Sequence, residues 1–324
     1  MNETTEKAAI MTHALPGGTV KVQRARHPAR WVSAATVLFL LFMFTQSIAT
    51  NKNMRWDVVG AYLFDDSVIT GLLVTLKLTA MSMAVGIAGG IVLAVMRLSP
   101  NPVLAAISKL YIWFFRGTPL LVQLLFFYFL AALFPELGVG IPYGPTFISG
   151  QTNVLITQFV AAVLAFGCNE AAYMAEIVRA GIISVDPGQT EAAMSIGMSR
   201  GQTLRHIVLP QAMRIIIPPT TNNAISLLKT TSLVLIIAIP DLLTSVQLIY
   251  SRNFLQIPLL TVACVWYLLV TTVLTVIQHY IERYFARGVT QPASGAKRQN
   301  THTGETAIAA VPGMAEMSSE GQQR

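Results

Sequence analysis

Six mainly apolar stretches alternate with polar links along the chain: 31–48, 68–96, 104–134, 154–173, 215–239 and 257–280. A membrane-spanning helix needs about 20 apolar residues, and each stretch has room for one. In lipid every backbone polar group must find a partner within the protein, and a helix satisfies its own. The pattern therefore predicts an all-α, polytopic membrane bundle of about six transmembrane helices. The third stretch is interrupted by Arg116-Gly117-Thr118-Pro119. Gly and Pro break helix there, at the point where this span is expected to enter from the cytoplasm. Pro218-Pro219 predicts a kink near the start of the fifth.

Composition agrees with lipid as the solvent. Hydrophobic residues make up 53% and charged residues only 11%, against about 25% charged in a soluble domain. Mean hydropathy is +0.58. The net charge of +7 does not point to nucleic acid, because Lys and Arg sit mainly between the apolar runs. Residues 1–30 form a basic tail, and Arg97, Lys109, Arg116, Arg179, Arg200, Arg205, Arg214, Arg283 and Arg287 follow on the same predicted side. The positive-inside rule puts both termini in the cytoplasm. The stretch at 31–50 reads as an extra uncleaved transmembrane helix, since its polar lead is long and no small-x-small cleavage site follows. The core spans 68–287. Residues 288–324, rich in Gln, Ser, Thr, Gly and Glu, read as a disordered cytoplasmic tail. Cys168 and Cys264 lie in apolar segments without CxxC or metal spacing, so they fill the core and no metal site is expected.

The longest inner link, about 183–213, has its own helix signals. Asp186 is a good N-cap with Pro187 in the first turn. Gly197 is a stop. Ser199 and Gln202 have capping-box spacing for a second helix carrying Leu204, Ile207 and Val208, which Pro210 limits. This helix, glycine hinge and helix are either a hairpin closing the bundle or a docking element for a cytoplasmic partner.

Glu191-Ala192-Ala193, then Gly197, then Ile207-x-Leu209-Pro210 resembles the EAA motif of ABC importer permeases. Arg116-Gly117-Thr118-Pro119-Leu120-Leu121-Val122-Gln123 is similar to the RGTPLLVQ stretch of the polar amino acid (histidine/glutamine-type) permeases. Ala172-Tyr173-x-Ala175-Glu176-Ile177-x-Arg179 and Lys229-Thr230-Thr231-Ser232-Leu233 also resemble that subfamily. The likeness runs from about 70 to 288. The resemblance implies the type I importer permease fold, in a bacterial inner membrane. It implies a permease subunit that forms the path for a polar amino acid and couples to a separate ATPase. Glu191, Ala192, Ala193, Gly197, Ile207, Leu209 and Pro210 would form the coupling contact. The implied partners are ATP-binding subunits, a second permease subunit (a copy or a relative), a solute-binding protein and membrane lipid. ATP and Mg would belong to the ATP-binding subunit; this chain would be no enzyme and carry no cofactor.

Polar residues inside spans are costly in lipid, so each is a candidate for the path. Near the end of the fourth stretch these are Glu170, Tyr173 and Glu176, beside Asn169 and Arg179; the alternative is a Glu176–Arg179 ion pair on one helix. In the fifth they are Asn222, Asn223, Lys229 and Thr231, near Ser226 and Thr230. There the alternative is bonding between helices, with Lys229 neutralising a buried Glu. At the break, Thr118 and Gln123 are candidates; the alternative is a kink with a positive anchor. Gly86, Gly89 and Gly90 read as close helix packing. A self-contained secondary transporter or channel is the competing class, and would need coupling-ion sites but no inner hairpin. No GxxxxGK[ST] phosphate loop occurs. An intramembrane enzyme finds no HExxH or GxSG, and the five histidines do not cluster in sequence.

Overall fold

The computed structural model describes residues 14–15, 18–19, 28–140 and 146–286. The expected tail at 288–324 and most of the basic tail lie outside these. The first helix, α1 (Pro28–Ala49), is apolar on every side. None of its spanning stretch Trp31–Ala49 is buried, as suits a helix ringed by lipid. The Trp56 indole N–H donates to Ala49 O at 3.1 Å, joining α1 to the short α2 (Trp56–Tyr62).

The core begins with α3 (Asp66–Leu98), whose Asp65 cap accepts from Ser67 N–H at 2.9 Å. After α4 (Pro102–Gly117) the chain bends by 103° into α5 (Leu120–Tyr128). The short α6 (Leu130–Leu133), a hairpin of β3 (Glu136–Gly140) on β4 (Thr146–Gln151), and α7 (Thr152–Leu155) lead to α8 (Gln158–Ile183). Then come α9 (Pro187–Ser195), α10 (Arg200–Thr203) and a five-residue π-turn, Leu204–Val208. The π-turn runs directly into α11 (Leu209–Thr230), which tightens to a 3-10 segment at Thr231–Ile237. Last are α12 (Leu242–Asn253) and α13 (Gln256–Ala286). A two-residue pair, β1 (Ala14–Leu15) with β2 (Gly18–Thr19), completes the described elements. Among the described residues four helices are long and apolar enough to cross a membrane alone, and counting each of two bent pairs as one span brings the number to six.

The seam between α3 and α8 organises the bundle. Lipid tails are as apolar as the side chains, so association depends on close van der Waals packing, which small residues permit. A Cβ at Gly90 would lie 2.4 Å from Met174 Cβ, and one at Gly86 would lie 2.7 Å from Glu170 Cβ. The packing role read for these glycines is what the structure shows. The pairings 86 with 170 and 90 with 174 make the two helices parallel. In turn, α11 runs antiparallel to α8, with Gly181 against Ile216 and Glu170 bonded to Asn223.

Several sequence expectations change. The helix of the fourth stretch, α8, continues ten residues beyond 173 to Ile183, and Glu176 and Arg179, which end the apolar run, pair with each other. Pro210 does not stop the loop's second helix. The π-turn before it donates Leu209 N–H five residues back to Leu204 O. The ladder is thus already displaced where Pro210 has no N–H to give. Pro218 and Pro219 lie inside α11, and the marked bend of 47° falls later, between Ile237 and Leu242. There Ala238 adopts a left-handed backbone, φ 56°. The break at Arg116–Pro119 is not at the entrance of the third span. Asn169, near the middle of α8, donates to Phe115 O at 2.9 Å, so the break lies at mid-bundle.

Candidate translocation cavity and coupling loop

The helix break, α8 and α11 border an open cavity of about 450 Å³ lined by Thr118, Pro119, Leu120, Asn169, Glu170, Tyr173, Asn223, Ser226, Leu227 and Thr230. Of the candidates for the path, Thr118, Glu170, Tyr173 and Asn223 meet here. Glu170 is only 7% exposed. Its Oε1 accepts from Asn223 Nδ2 at 2.9 Å, and no Lys, Arg or His among the described residues forms an ion pair with it. A buried carboxyl group with one amide partner and no cation is costly to ionise, and a cationic group entering the cavity would offset that cost. The Arg116 guanidinium lies over the Tyr173 ring, 5.2 Å from its centroid.

The other candidates sit elsewhere. Gln123 is buried and fastens the break rather than facing a path. Its amide donates to Phe115 O (2.9 Å), Thr118 O (3.1 Å) and Thr118 Oγ1 (2.8 Å), and its Oε1 accepts from Asn169 (3.1 Å). Glu176 is held by Arg179 at 2.7 Å and faces Arg97 at 3.9 Å. Thr231 is fully buried with its hydroxyl on Leu228 O. Asn222 is exposed and accepts from Gln278. Lys229 is exposed, so it does not neutralise Glu170.

Helix geometry explains the sorting. At about 100° per residue, Asn223, Ser226, Leu227 and Thr230 fall on one arc, while Asn222 and Lys229 point about 100° away or more. On α8 each three-residue step lags by about 60°, so Glu176, two steps from Glu170, has rotated off the cavity. The spacing 223, 226, 227, 230 was the available signal for Ser226 and Thr230.

The coupling loop is built by local caps. Asp186 Oδ1 accepts from Gly188 N–H at 2.8 Å, with Pro187 opening α9. Gly197 ends that turn at φ +88°, a left-handed conformation that costs a side-chain-bearing residue about 1–2 kcal/mol. Ser199 N–H donates to Gln202 Oε1 (2.8 Å) and Gln202 N–H to Ser199 Oγ (3.3 Å), a complete capping box. Ala193 is buried, and Ile207 is half-buried. Glu191, Ala192, Gly197, Leu209 and Pro210 are exposed. Beside them Met194, Ile196 and Leu204 are also exposed, Ile196 at 80%.

This bundle, broken at its centre and carrying a capped helical loop at one end, has the architecture of a transport-system membrane component. The model of the family described as "Binding-protein-dependent transport system inner membrane component" matches residues 86–287, and the chain belongs to that family. It is a multi-pass inner-membrane protein of a transport system whose members work with an ATP-binding subunit and a binding protein. The arginine transport system permease protein of Corynebacterium glutamicum is 46% identical over 276 residues, covering 84% of this chain and 85% of that one. The L-cystine transport system permease protein of Bacillus subtilis is 37% identical over 235 residues, covering 72% and 92%. Among solved structures, an amino acid ABC transporter matches with TM-score 0.57 and 34% identity, covering 67% of this chain and 94% of that one. A methionine ABC transporter, at TM-score 0.53 and 17% identity, shares the fold.

Proposed function

We propose that this chain is the permease subunit of an ATP-driven importer for a polar amino acid, and that the cavity at the helix break is where the substrate pauses. The observation that carries the substrate reading is Glu170, a buried carboxylate facing the cavity with no basic partner among the described residues. It suits the cationic end of an amino acid, and the similarity to an arginine permease supports the same class. Thr118, Asn169, Asn223, Ser226 and Thr230 offer neutral hydrogen bonds around it. ATP and its magnesium act in a separate ATP-binding subunit. The exposed surface of Glu191, Ala192, Met194 and Ile196 docks there. The end of the bundle carrying Arg179, Arg200 and Arg205 is cytoplasmic, the extra helix α1 carries the N-terminus to the same side, and a second permease subunit completes the path. One continuous helical course from Arg200 to Ile237 joins the loop to the cavity residues Asn223, Ser226 and Thr230, so movement at the loop reaches the substrate through a stiff element.

The test is amino acid uptake into vesicles holding this chain, its ATP-binding subunit and its binding protein. Glu170→Gln keeps the shape and the Asn223 contact but removes the charge. A charge-assisted hydrogen bond contributes about 1.5–3 kcal/mol, so substrate affinity should fall about 10- to 100-fold. Wild-type transport by Glu170→Gln would remove the substrate reading. Full uptake by the purified chain without ATP or another subunit would remove the importer reading in favour of a self-contained transporter.

A further inference from the structure

A second concave site lies at the end of the bundle away from the coupling loop. Asp66, Ser67 and Thr70 of α3 and Ser245, Leu248 and Arg252 of α12 border a groove of about 430 Å³, within the range of small-molecule sites, about 300–1,000 Å³. Thr70 follows Ser67 by three positions and Asp66 by four, and the α12 residues have the same spacing, so each set shares one helix face. The helices touch at Gly71, where a Cβ would lie 2.4 Å from Ser245 Oγ; Asp66 and Arg252 lie further out along them. Ser245 is only 6% exposed, and its hydroxyl has no hydrogen-bond partner among the described residues. A buried hydroxyl without a partner is costly, and this one lines the groove. Asp66 and Arg252 are exposed, and neither forms an ion pair among the described residues. An acid and a base thus border one space without neutralising each other.

The charges along α3 set the depth of this groove. Between Lys77 and Arg97 the helix carries no charged residue. At about 1.5 Å per residue the two lie about 30 Å apart, the thickness of the hydrocarbon layer. Arg97 is at the cytoplasmic end, so Lys77 marks the outer edge. Thr70 and Asp66 then stand about 10 and 16 Å beyond it, whereas the headgroup layer is only about 5–7 Å deep on each side. The groove therefore opens to water, and its occupant comes from solution. We propose that it holds a free amino acid at the outer end of the permease, with the ammonium on Asp66, the carboxylate on Arg252 and the Ser245 hydroxyl bonded to the ligand. A guanidinium takes a carboxylate through two parallel hydrogen bonds, and an acid and a base held apart match a zwitterion. Leu248 gives the side-chain stem an apolar wall. The choice of an amino acid rests on the importer reading, but the site is separate from the cavity at Glu170, because no residue lines both.

The test puts a reporter in the groove. Leu248→Cys is introduced into the permease–ATPase complex, reconstituted without the binding protein into vesicles of phosphatidylglycerol and phosphatidylcholine, and labelled with a membrane-impermeant maleimide. Wild type gives the background from Cys168 and Cys264. Arginine or glutamine at millimolar concentration should slow labelling about fivefold or more. Agmatine, which lacks the carboxylate, and N-acetylarginine, which lacks the ammonium, should not. Arg252→Gln and Asp66→Asn should each abolish the protection. Protection that Arg252→Gln keeps and Glu170→Gln loses would come from the inner cavity and overturn the site. Labelling blocked by added phosphatidylethanolamine with no amino acid present would make the occupant a lipid headgroup and overturn the amino acid. If no amino acid slows labelling, Asp66 and Arg252 are solvated surface charges and the site falls; ATP-driven uptake on adding the binding protein would show that the importer reading survives it. Should Leu248→Cys fail to assemble, Thr70→Cys on the facing helix decides by the same criteria.

Discussion

Gln123 ties the two halves of the broken span together through its buried amide. Gln123→Met keeps nearly the same length and volume, so it opens no large cavity and isolates the polar contribution. The amide NH₂ has two protons shared among Phe115 O, Thr118 O and Thr118 Oγ1, and its oxygen accepts once from Asn169. Two protons and one accepted bond amount to three hydrogen bonds. Phe115 O keeps its bond from Asn169, but Thr118 O loses the Gln123 donor and the Asn169 amide loses one acceptor. At about 0.5–1.5 kcal/mol per bond, the loss is about 2–4 kcal/mol. For a domain of this size that corresponds to an apparent melting temperature lower by about 5–10 °C. The assay is thermal unfolding of the solubilised complex, wild type and variant scanned at one rate, followed by ligand binding below the transition. Binding should also weaken, because Thr118 lines the cavity and loses its fixed position. A variant melting within 1 °C of wild type, with unchanged binding, would show that the break is held by its backbone and its neighbours rather than by Gln123.

Other outcomes follow from the same structure. Gly90→Val places a branched side chain against Met174 across the α3–α8 seam and should cost about 1–3 kcal/mol, read as a lower yield of folded monodisperse protein. Gly197→Asp, forced to φ +88°, and Glu191→Lys should insert into the membrane normally yet co-purify with less ATP-binding subunit; full retention of that subunit with normal uptake in both would argue against docking at this loop. Glu176→Gln breaks a partly exposed ion pair worth about 1 kcal/mol or less, so uptake should remain near wild type, in contrast with Glu170→Gln. Deleting residues 1–50 removes α1, whose spanning stretch is unburied, and the shortened chain should still assemble and transport.

What could be read early shares one property: the interaction closes within a few residues. The Asp186 cap and the Ser199–Gln202 box each join side chain and backbone no more than three positions apart, and the Gly197 stop is a backbone turn onto Met194 O. The apolar stretches were legible because lipid demands length and uniform apolarity of any helix that crosses it. Their ends were less so. Polar pairs such as Glu176 with Arg179 interrupt apolarity without ending a helix, and Pro210 passes through a helix by way of a π-turn.

Sequence by itself determined the apolar stretches that a membrane requires, the loop and its caps, and the set of polar residues that lipid would not tolerate unpaired. It could not sort that set. Asn222 and Asn223 are adjacent and chemically identical, yet one meets Gln278 and the other meets Glu170 at the cavity. Tertiary structure made that choice, because one residue along a helix is a turn of about 100°. Which arc faces the cavity depends on where α8 and the broken span pack, and those contacts lie some 50 residues or more away in the chain.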